Sequence, residues 1–284
     1  MTSPSTLLKA WNLRARKEAG QHFLARPETA EWIAESCAPE AGELVVEIGS
    51  GLGALTVALA RRADEVVAVE NDRRLVGLLH TELTAAGLTN VTILQEDILR
   101  LDFNAVRKRS RAPLVVAGNL PYNISSQIVI RLIEHRALLD RAVLMFQKEM
   151  AERITASPGG KIYGRLSVLA QYAATTHKVA NVPASLFYPR PKIDSQVLSF
   201  RFRAPDPSDA LFEPHLFRVV RAAFSKRRKT LKNALTASDF HITPEAARRF
   251  LESSGIDPGR RAETLSVDEF VRLARYMMPE AAPP

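Results

Sequence analysis

Apolar runs of strand length alternate with stretches of helical spacing through the first half of the chain. The runs Leu44–Ile48, Val66–Glu70, Val91–Gln95, Leu114–Ala117 and Ala142–Phe146 are mostly apolar. Near-continuous rather than alternating hydrophobicity marks strands covered on both faces. Between them, Leu52–Arg62, Arg73–Ala86 and Ile124–Glu134 repeat apolar residues every three or four positions, the spacing of amphipathic helices. Such βα alternation predicts an α/β domain with a largely parallel sheet and helices on both faces. After Phe146 come a helical KEMAERITA, a Pro-Gly-Gly break and a helical GRLSVLAQYAA. Two late strands follow near Thr176–Val182 and Gln196–Phe202, joined by PASLFYPRPKID. That connection is too short for a helical crossover, so the two are expected to pair antiparallel. At RAPDPSDALFEP the composition shifts, and the remaining residues show helical periodicity without a strand signal. The expected organisation is a domain over 1–204, with a basic arm over 1–19, and a small all-helical domain over 205–284. There is no internal repeat.

The bulk composition narrows the classes. With 284 residues, 46% hydrophobic and 25% charged, the chain suits one medium domain and one small one. Its longest apolar runs fall far short of a membrane span, and the N-terminus holds no stretch long enough for a secretory signal. The acid-poor, Arg-containing N-terminus leaves an organelle-targeting reading open; a cytoplasmic monomer is the expectation. Cys37 is the one cysteine, which excludes an intramolecular disulfide and a Cys-based zinc site; its helical setting suggests a packing residue. The six histidines are scattered, so no metal is expected. The net charge of +8 is concentrated in residues 218–232, RVVRAAFSKRRKTLK, with seven Lys or Arg and no acid. Such a patch favours an anionic partner.

Three consecutive strand ends carry chemistry. The first opens into Gly49-x-Gly51-x-Gly53 ahead of a helix. Glycines here allow a sharp turn and a close ligand, but the spacing is not the GxGxxG of pyrophosphate sites. The second ends at Glu70, where a carboxylate can accept both ribose hydroxyls, and the third leads to Asp97, placed to accept from an adenine amino group. Each acid alone could be a helix cap. Together they describe a pocket for an adenosine-containing ligand, and the absence of a phosphate clamp or P-loop lysine favours S-adenosylmethionine over ATP and NAD.

The fourth strand points AGNLPYNISS at the same edge. A plain strand-to-helix turn is one reading. The other is a methyl-acceptor site for the N6 amine of adenine, whose lone pair is delocalised into the ring. The Asn119 side-chain oxygen and a backbone carbonyl of Leu120 or Pro121 could accept from its two N–H bonds and favour a pyramidal nitrogen. Pro121 pushes Leu120 into an extended conformation. Tyr122 offers a stacking face worth roughly 1–3 kcal/mol. A base inside folded RNA must be splayed out to arrive there, and Phe187 is a candidate for its other face, or a core anchor of its loop.

In order, GQHFL, EIGSGLGALT, AGNLPYNISS, FQKEMAERI, YGRLSVLAQY, PASLFYPRPKIDS and FSKRRKTLKNAL resemble the KsgA-type family of small-subunit ribosomal RNA adenine dimethyltransferases, from about Arg16 to Leu235. The resemblance implies a seven-stranded Rossmann-like methyltransferase core with a small helical domain. The implied activity is dimethylation of two adjacent adenosines near the 3′ end of 16S rRNA in the 30S subunit, with a role in subunit biogenesis. It carries cofactor contacts onto His22, Leu24, Gly49, Glu70, Asp97 and Asn119, and Gly51 belongs to the same loop. His22 is a departure, since the family's usual residue there is Asn. The patch Arg221, Lys226, Arg227, Arg228, Lys229 and Lys232 reads as an RNA-backbone contact, with Lys9, Arg14, Arg16 and Lys17 as a flexible basic arm. The competing readings are an erythromycin-resistance type enzyme acting on 23S rRNA, a non-catalytic assembly or transcription factor on the same fold, and a DNA adenine methyltransferase.

Overall fold

The computed structural model describes residues 2–16, 18, 20–206, 211–226 and 228–278. Its strands are β1 (Phe23–Leu24), β2 (Leu44–Ile48), β3 (Glu65–Glu70), β4 (Val91–Gln95), β5 (Leu114–Asn119), β6 (Leu139–Gln147), β7 (Ala174–Val182), β8 (Phe187–Tyr188) and β9 (Ser195–Phe202). Seven of them form one sheet in the order β4-β3-β2-β5-β6-β9-β7. The first five in that order run parallel, and β9 lies antiparallel to both β6 and β7. The late pair is therefore antiparallel, as its short connection requires.

The helices of this part are α1 (Pro4–Ala10), α2 (Pro27–Cys37), α3 (Ala54–Ala60), α4 (Arg73–Ala85), α5 (Phe103–Arg107), α6 (Ser125–Glu134) and α7 (Lys148–Ile154). Leu44, Val45, Val46 and Ile48 are buried, as are Val66–Val69 and Leu114–Ala117, which is why these strands read as unbroken apolar runs. Cys37 belongs to the core cluster with Ile33, Val45 and Val115. Burial pushes its thiol up to about 12, so it remains a packing residue.

Two sequence-based expectations change here. Strand β5 continues past Ala117, and Asn119 pairs with Met145 in the ladder. Pro121, which lacks an N–H, falls two residues beyond the last pair, so nothing ends the strand earlier. The segment 1–19 is no free arm over its described residues. Ser3 caps α1 by accepting from the Thr6 N–H, and Leu7 and Leu8 pack with Phe23, Leu52, Leu75 and Leu78. Lys9, Arg14 and Arg16 are exposed; Lys17 lies outside the described residues.

The chain divides into two compact units, Met1–Ala151 with Ala174–Arg203, and Glu152–Ala173 with Ala204–Pro284. The break near residue 204 coincides with the composition shift. Glu152–Ala173, expected in the first domain, instead belongs to the helical unit. There α8 (Arg165–Ala173) packs on α9 (Phe212–Ala223) and α12 (Val267–Met277), and Gln171 ties itself to the carbonyls of Ile154 and Ala156. The unit is completed by α10 (Leu231–Thr236) and α11 (Pro244–Ser253). Tyr163 packs on Phe224, Phe224 on Phe270, and Ser266 with Glu269 forms a capping box at the start of α12. Among the described residues no helix is long and apolar enough to cross a membrane.

Candidate active site

The carboxyl ends of β2, β3, β4 and β5 meet around a cavity of about 340 Å³, within the size range of small-molecule sites, about 300–1,000 Å³. Its wall includes Gly49, Gly51, Glu70, Asp97, Asn119 and His22. The Gly loop turns from β2 into α3 with positive φ at Gly49, Gly51 and Gly53. A Cβ on Gly51 would lie 3.0 Å from the Phe23 ring, so the loop and the GQHFL segment touch directly only because no side chain intervenes.

Glu70 ends β3 with 9% of its surface exposed. One carboxylate oxygen accepts from the Gly51 N–H at 2.9 Å and the other from the Asp72 N–H at 2.8 Å. Burial raises its pKa above the ordinary carboxylate value, and these two backbone donors oppose the rise. A carboxylate has about four lone-pair sites, so both oxygens can still accept from a ligand. Asp97 follows β4 and uses one oxygen to accept from the Leu99 N–H at 2.9 Å. Two contributors escaped the sequence reading. Gln21 accepts from the Arg16 N–H at 2.8 Å and donates to Asp72 at 3.3 Å, and Arg74 holds the Asp72 carboxyl down to about 2. Their only sequence signal was the Gln inside GQHFL.

Asn119 is oriented by its surroundings. Its Nδ2 donates to the His22 carbonyl at 2.7 Å; a carbonyl only accepts, so the amide nitrogen must face it. Oδ1 is left without a protein partner among the described residues, at the cavity wall. The Pro121 carbonyl accepts from the Ile124 N–H at 3.3 Å. A carbonyl has two lone pairs, so the Pro121 carbonyl, whose residue lines the cavity, remains an acceptor, whereas Leu120 is 1% exposed.

The aromatic expectations divide. Tyr122 is not in the cavity wall; its hydroxyl lies 2.8 Å from Ser195 Oγ and its ring stacks on His22 at 5.2 Å. Burial raises its pKa. Phe187, a candidate for the other face of the acceptor base or a core anchor of its loop, packs in the core in this structure. It is 4% exposed, clusters with Leu24, Ile33 and Val197, and does not line the cavity. Leu24 likewise supports from the core, paired with Phe187 across β1 and β8.

The basic segment of the helical unit is also partly corrected. Arg221, with Arg218, is met by Asp239 from beyond α10, at 2.6 Å for Arg221, so the acid-free run is not acid-free in space. Lys226, Arg228 and Lys229 are exposed in the turn between α9 and α10, and Lys232 is half-buried on α10. These four have no ion pair among the described residues; Arg227 lies outside them. The Leu231 N–H donates to the Arg260 carbonyl at 2.8 Å, which brings the Pro258–Arg261 segment alongside.

A doubly covered parallel sheet with β9 inserted antiparallel near one edge, and an acid-lined cavity at its carboxyl ends, define a Rossmann-like methyltransferase. The chain belongs to the ribosomal RNA adenine dimethylase family, whose model matches residues 12–278. It is 49% identical over 274 residues to a ribosomal RNA small subunit methyltransferase A of Desulforapulum autotrophicum, covering 96% of each chain. A protein of the same name from Geobacter sulfurreducens is 45% identical, covering 94% of this chain and 96% of that one. Among solved structures it resembles a dimethyladenosine transferase of Plasmodium falciparum, with TM-score 0.71, 27% identity, and 88% and 95% of the two chains covered. It also resembles the 23S rRNA methyltransferase ErmE, with TM-score 0.68, 25% identity, and 90% and 99% covered.

The family depends on S-adenosylmethionine, and the residues present suit it. Among the described residues Arg16 is the one Lys or Arg of the cavity wall, against Glu70, Asp72, Glu96 and Asp97. Such a lining disfavours phosphates and suits a cationic, phosphate-free nucleoside.

Proposed function

We propose that this chain dimethylates N6 of two adjacent adenosines near the 3′ end of 16S rRNA in the small ribosomal subunit, as a cytoplasmic monomer acting in subunit biogenesis. The carrying observation is Asn119, whose amide is locked by the His22 carbonyl so that Oδ1 remains an open acceptor at the cavity wall. S-adenosylmethionine supplies the electrophilic methyl group. Glu70 and Asp97 hold its ribose and adenine, and the Gly loop admits it closely. Asn119 Oδ1 and a backbone carbonyl of Leu120 or Pro121 accept from the N–H bonds of the target amine, two in the first transfer and one in the second, and direct its lone pair. An uncharged acceptor suffices, because the amine becomes acidic only as the bond to carbon forms. The relatives named for the small subunit favour 16S over 23S rRNA, although the ErmE likeness keeps the latter in the test.

Incubation with radiolabelled S-adenosylmethionine and undermethylated 30S subunits, with 50S subunits and duplex DNA in parallel, is expected to give N6-dimethyladenosine near the 16S 3′ end. Label confined to 50S would mean a resistance-type enzyme; no label despite cofactor binding would mean a binding-only factor.

The helical unit is proposed to hold the rRNA backbone through its exposed turn. Replacing Lys226, Arg228 and Lys229 together by Ala is expected to weaken 30S binding. The slope of log affinity against log salt should become shallower by roughly 0.7 to 0.9 for each phosphate that is no longer neutralised, with cofactor binding unchanged. An unaltered slope would remove this turn from the interface.

A further inference from the structure

We infer that Tyr188 binds the nucleotide adjoining the target adenosine, its ring stacking on that neighbouring base while the reacting adenine occupies the cavity. This rests on the proposed substrate and adds the residue that holds the base beside the target. The placement begins from the ladder. β1 and β8 pair antiparallel, with Phe23 opposite Tyr188 and Leu24 opposite Phe187. Directly opposed residues of such a ladder turn their side chains to the same face. Leu24 and Phe187 share the core face, where they sit in one apolar cluster. Phe23 and Tyr188 share the other. Phe23 lines the cavity and is 8% exposed, whereas Tyr188 stands 43% exposed.

The residue after Tyr188 fixes which part of the cavity this is. The Pro189 carbonyl lies 2.7 Å from His22 Nδ1, and the His22 carbonyl accepts from the Asn119 amide at 2.7 Å. One residue therefore separates the Tyr188–Pro189 segment from Asn119, the proposed acceptor, which ends β5. Glu70 and Asp97 stand at the ends of β3 and β4. Tyr188 is not itself in the cavity wall, so its free face meets a base outside the cavity, not the one inside. The surroundings suit a nucleotide. Arg190 and Lys192 are exposed on the same connection and form no ion pair among the described residues. The acid of that connection, Asp194, is engaged by the Ala184 N–H at 2.8 Å. An aromatic face beside unpaired cations is the arrangement that holds an RNA strand, with base on ring and phosphate on cation.

The full-length protein is tested as wild type, Tyr188→Phe, Tyr188→Leu and Tyr188→Ala. Two quantities are read: equilibrium affinity for S-adenosylmethionine without RNA, and kcat with KM on undermethylated 30S subunits. A stack made alike in the ground and transition states shows in KM. Tyr188→Ala and Tyr188→Leu are expected to raise KM by about 5- to 100-fold, the range of a lost base–aromatic stack. Their kcat and cofactor affinity should stay within about threefold of wild type, and Tyr188→Phe, which keeps the ring, should match wild type throughout. A second arm changes the RNA: 30S particles are reconstituted with either of the two adenosines replaced by uridine, a smaller base beside the target that remains. On one of these particles the KM of wild type is expected to rise while that of Tyr188→Ala rises no further, so the two changes do not add. An Ala variant with wild-type KM, equal losses in Phe and Ala, a matching fall in cofactor affinity, or additive losses on both particles overturns the inference. If wild type labels only 50S subunits, the 16S reading fails by itself. The four proteins are then compared on 50S subunits, where a KM that follows the ring upholds the inference and one indifferent to it overturns it.

Discussion

Asn119→Ala lowers methyl transfer by about 10²- to 10³-fold, the usual effect of removing one oriented partner of the reacting group. Affinity for 30S subunits is expected to stay within a few-fold, because the exposed cations Lys226, Arg228 and Lys229 lie in the other unit of the chain. The size of the effect follows from geometry. Nδ2 is spent on the His22 carbonyl, so the substitution deletes an acceptor that is already aimed. Asn119→Asp should not rescue it: a carboxylate has no donor for that carbonyl, and an oxygen there would face an oxygen. Single-turnover rates with filter-binding affinities decide the matter, and equal losses in both would take Asn119 out of catalysis.

The second large effect is on stability. Glu47 lies on β2 opposite Ala68 and Ala117 and is 1% exposed. Burial pushes its carboxyl up to about 8. The Thr56 hydroxyl beside it opposes that rise and the charge of Glu70 adds to it, yet Glu47 Oε2 and Thr56 Oγ1 find no hydrogen-bond partner of good geometry among the described residues. Below pH 4.5 both the folded and the unfolded chain hold this proton. Between 4.5 and 8 the unfolded chain releases it and the folded chain retains it, so stability falls as pH rises. Above 8 the penalty is complete. At about 1.4 kcal/mol for each tenfold change in proton affinity, it approaches about 5 kcal/mol. Glu47→Gln cannot ionise, so its stability relative to wild type is expected to rise across that window. Denaturant midpoints of both proteins from pH 5 to pH 9 test this; curves that stay parallel would show that Glu47 does not titrate in the fold.

Much of the catalytic half was legible because its central strands are covered on both faces, as β2 is over its whole length, while the edge strand β4 kept an apolar run although it is only half-buried. The runs at Leu44–Ile48 and Val91–Gln95 coincide with β2 and β4, and three strand ends announced Gly49, Glu70 and Asp97 before any contact was known. The two-residue ladder of β1 and β8 was not legible, since two residues have no periodicity. Neither was α1, a seven-residue helix among cations whose apolar face exists only against Leu75 and Leu78.

The sequence by itself determined the βα order, the chemistry placed at each strand end, and, through its ordered motifs, the family. Tertiary structure alone decided what each side chain in those motifs touches. Successive residues of a strand face opposite ways, so only the pairing of β8 could send Phe187 into the core and leave Tyr188 43% exposed. Only folding could bring Asp239 to Arg221 across α10. And Asn119 acquired its orientation from the carbonyl of His22, 97 residues away in the chain. Partners so distant leave no spacing in a sequence, because they are chosen by the packing of whole elements rather than by local preference.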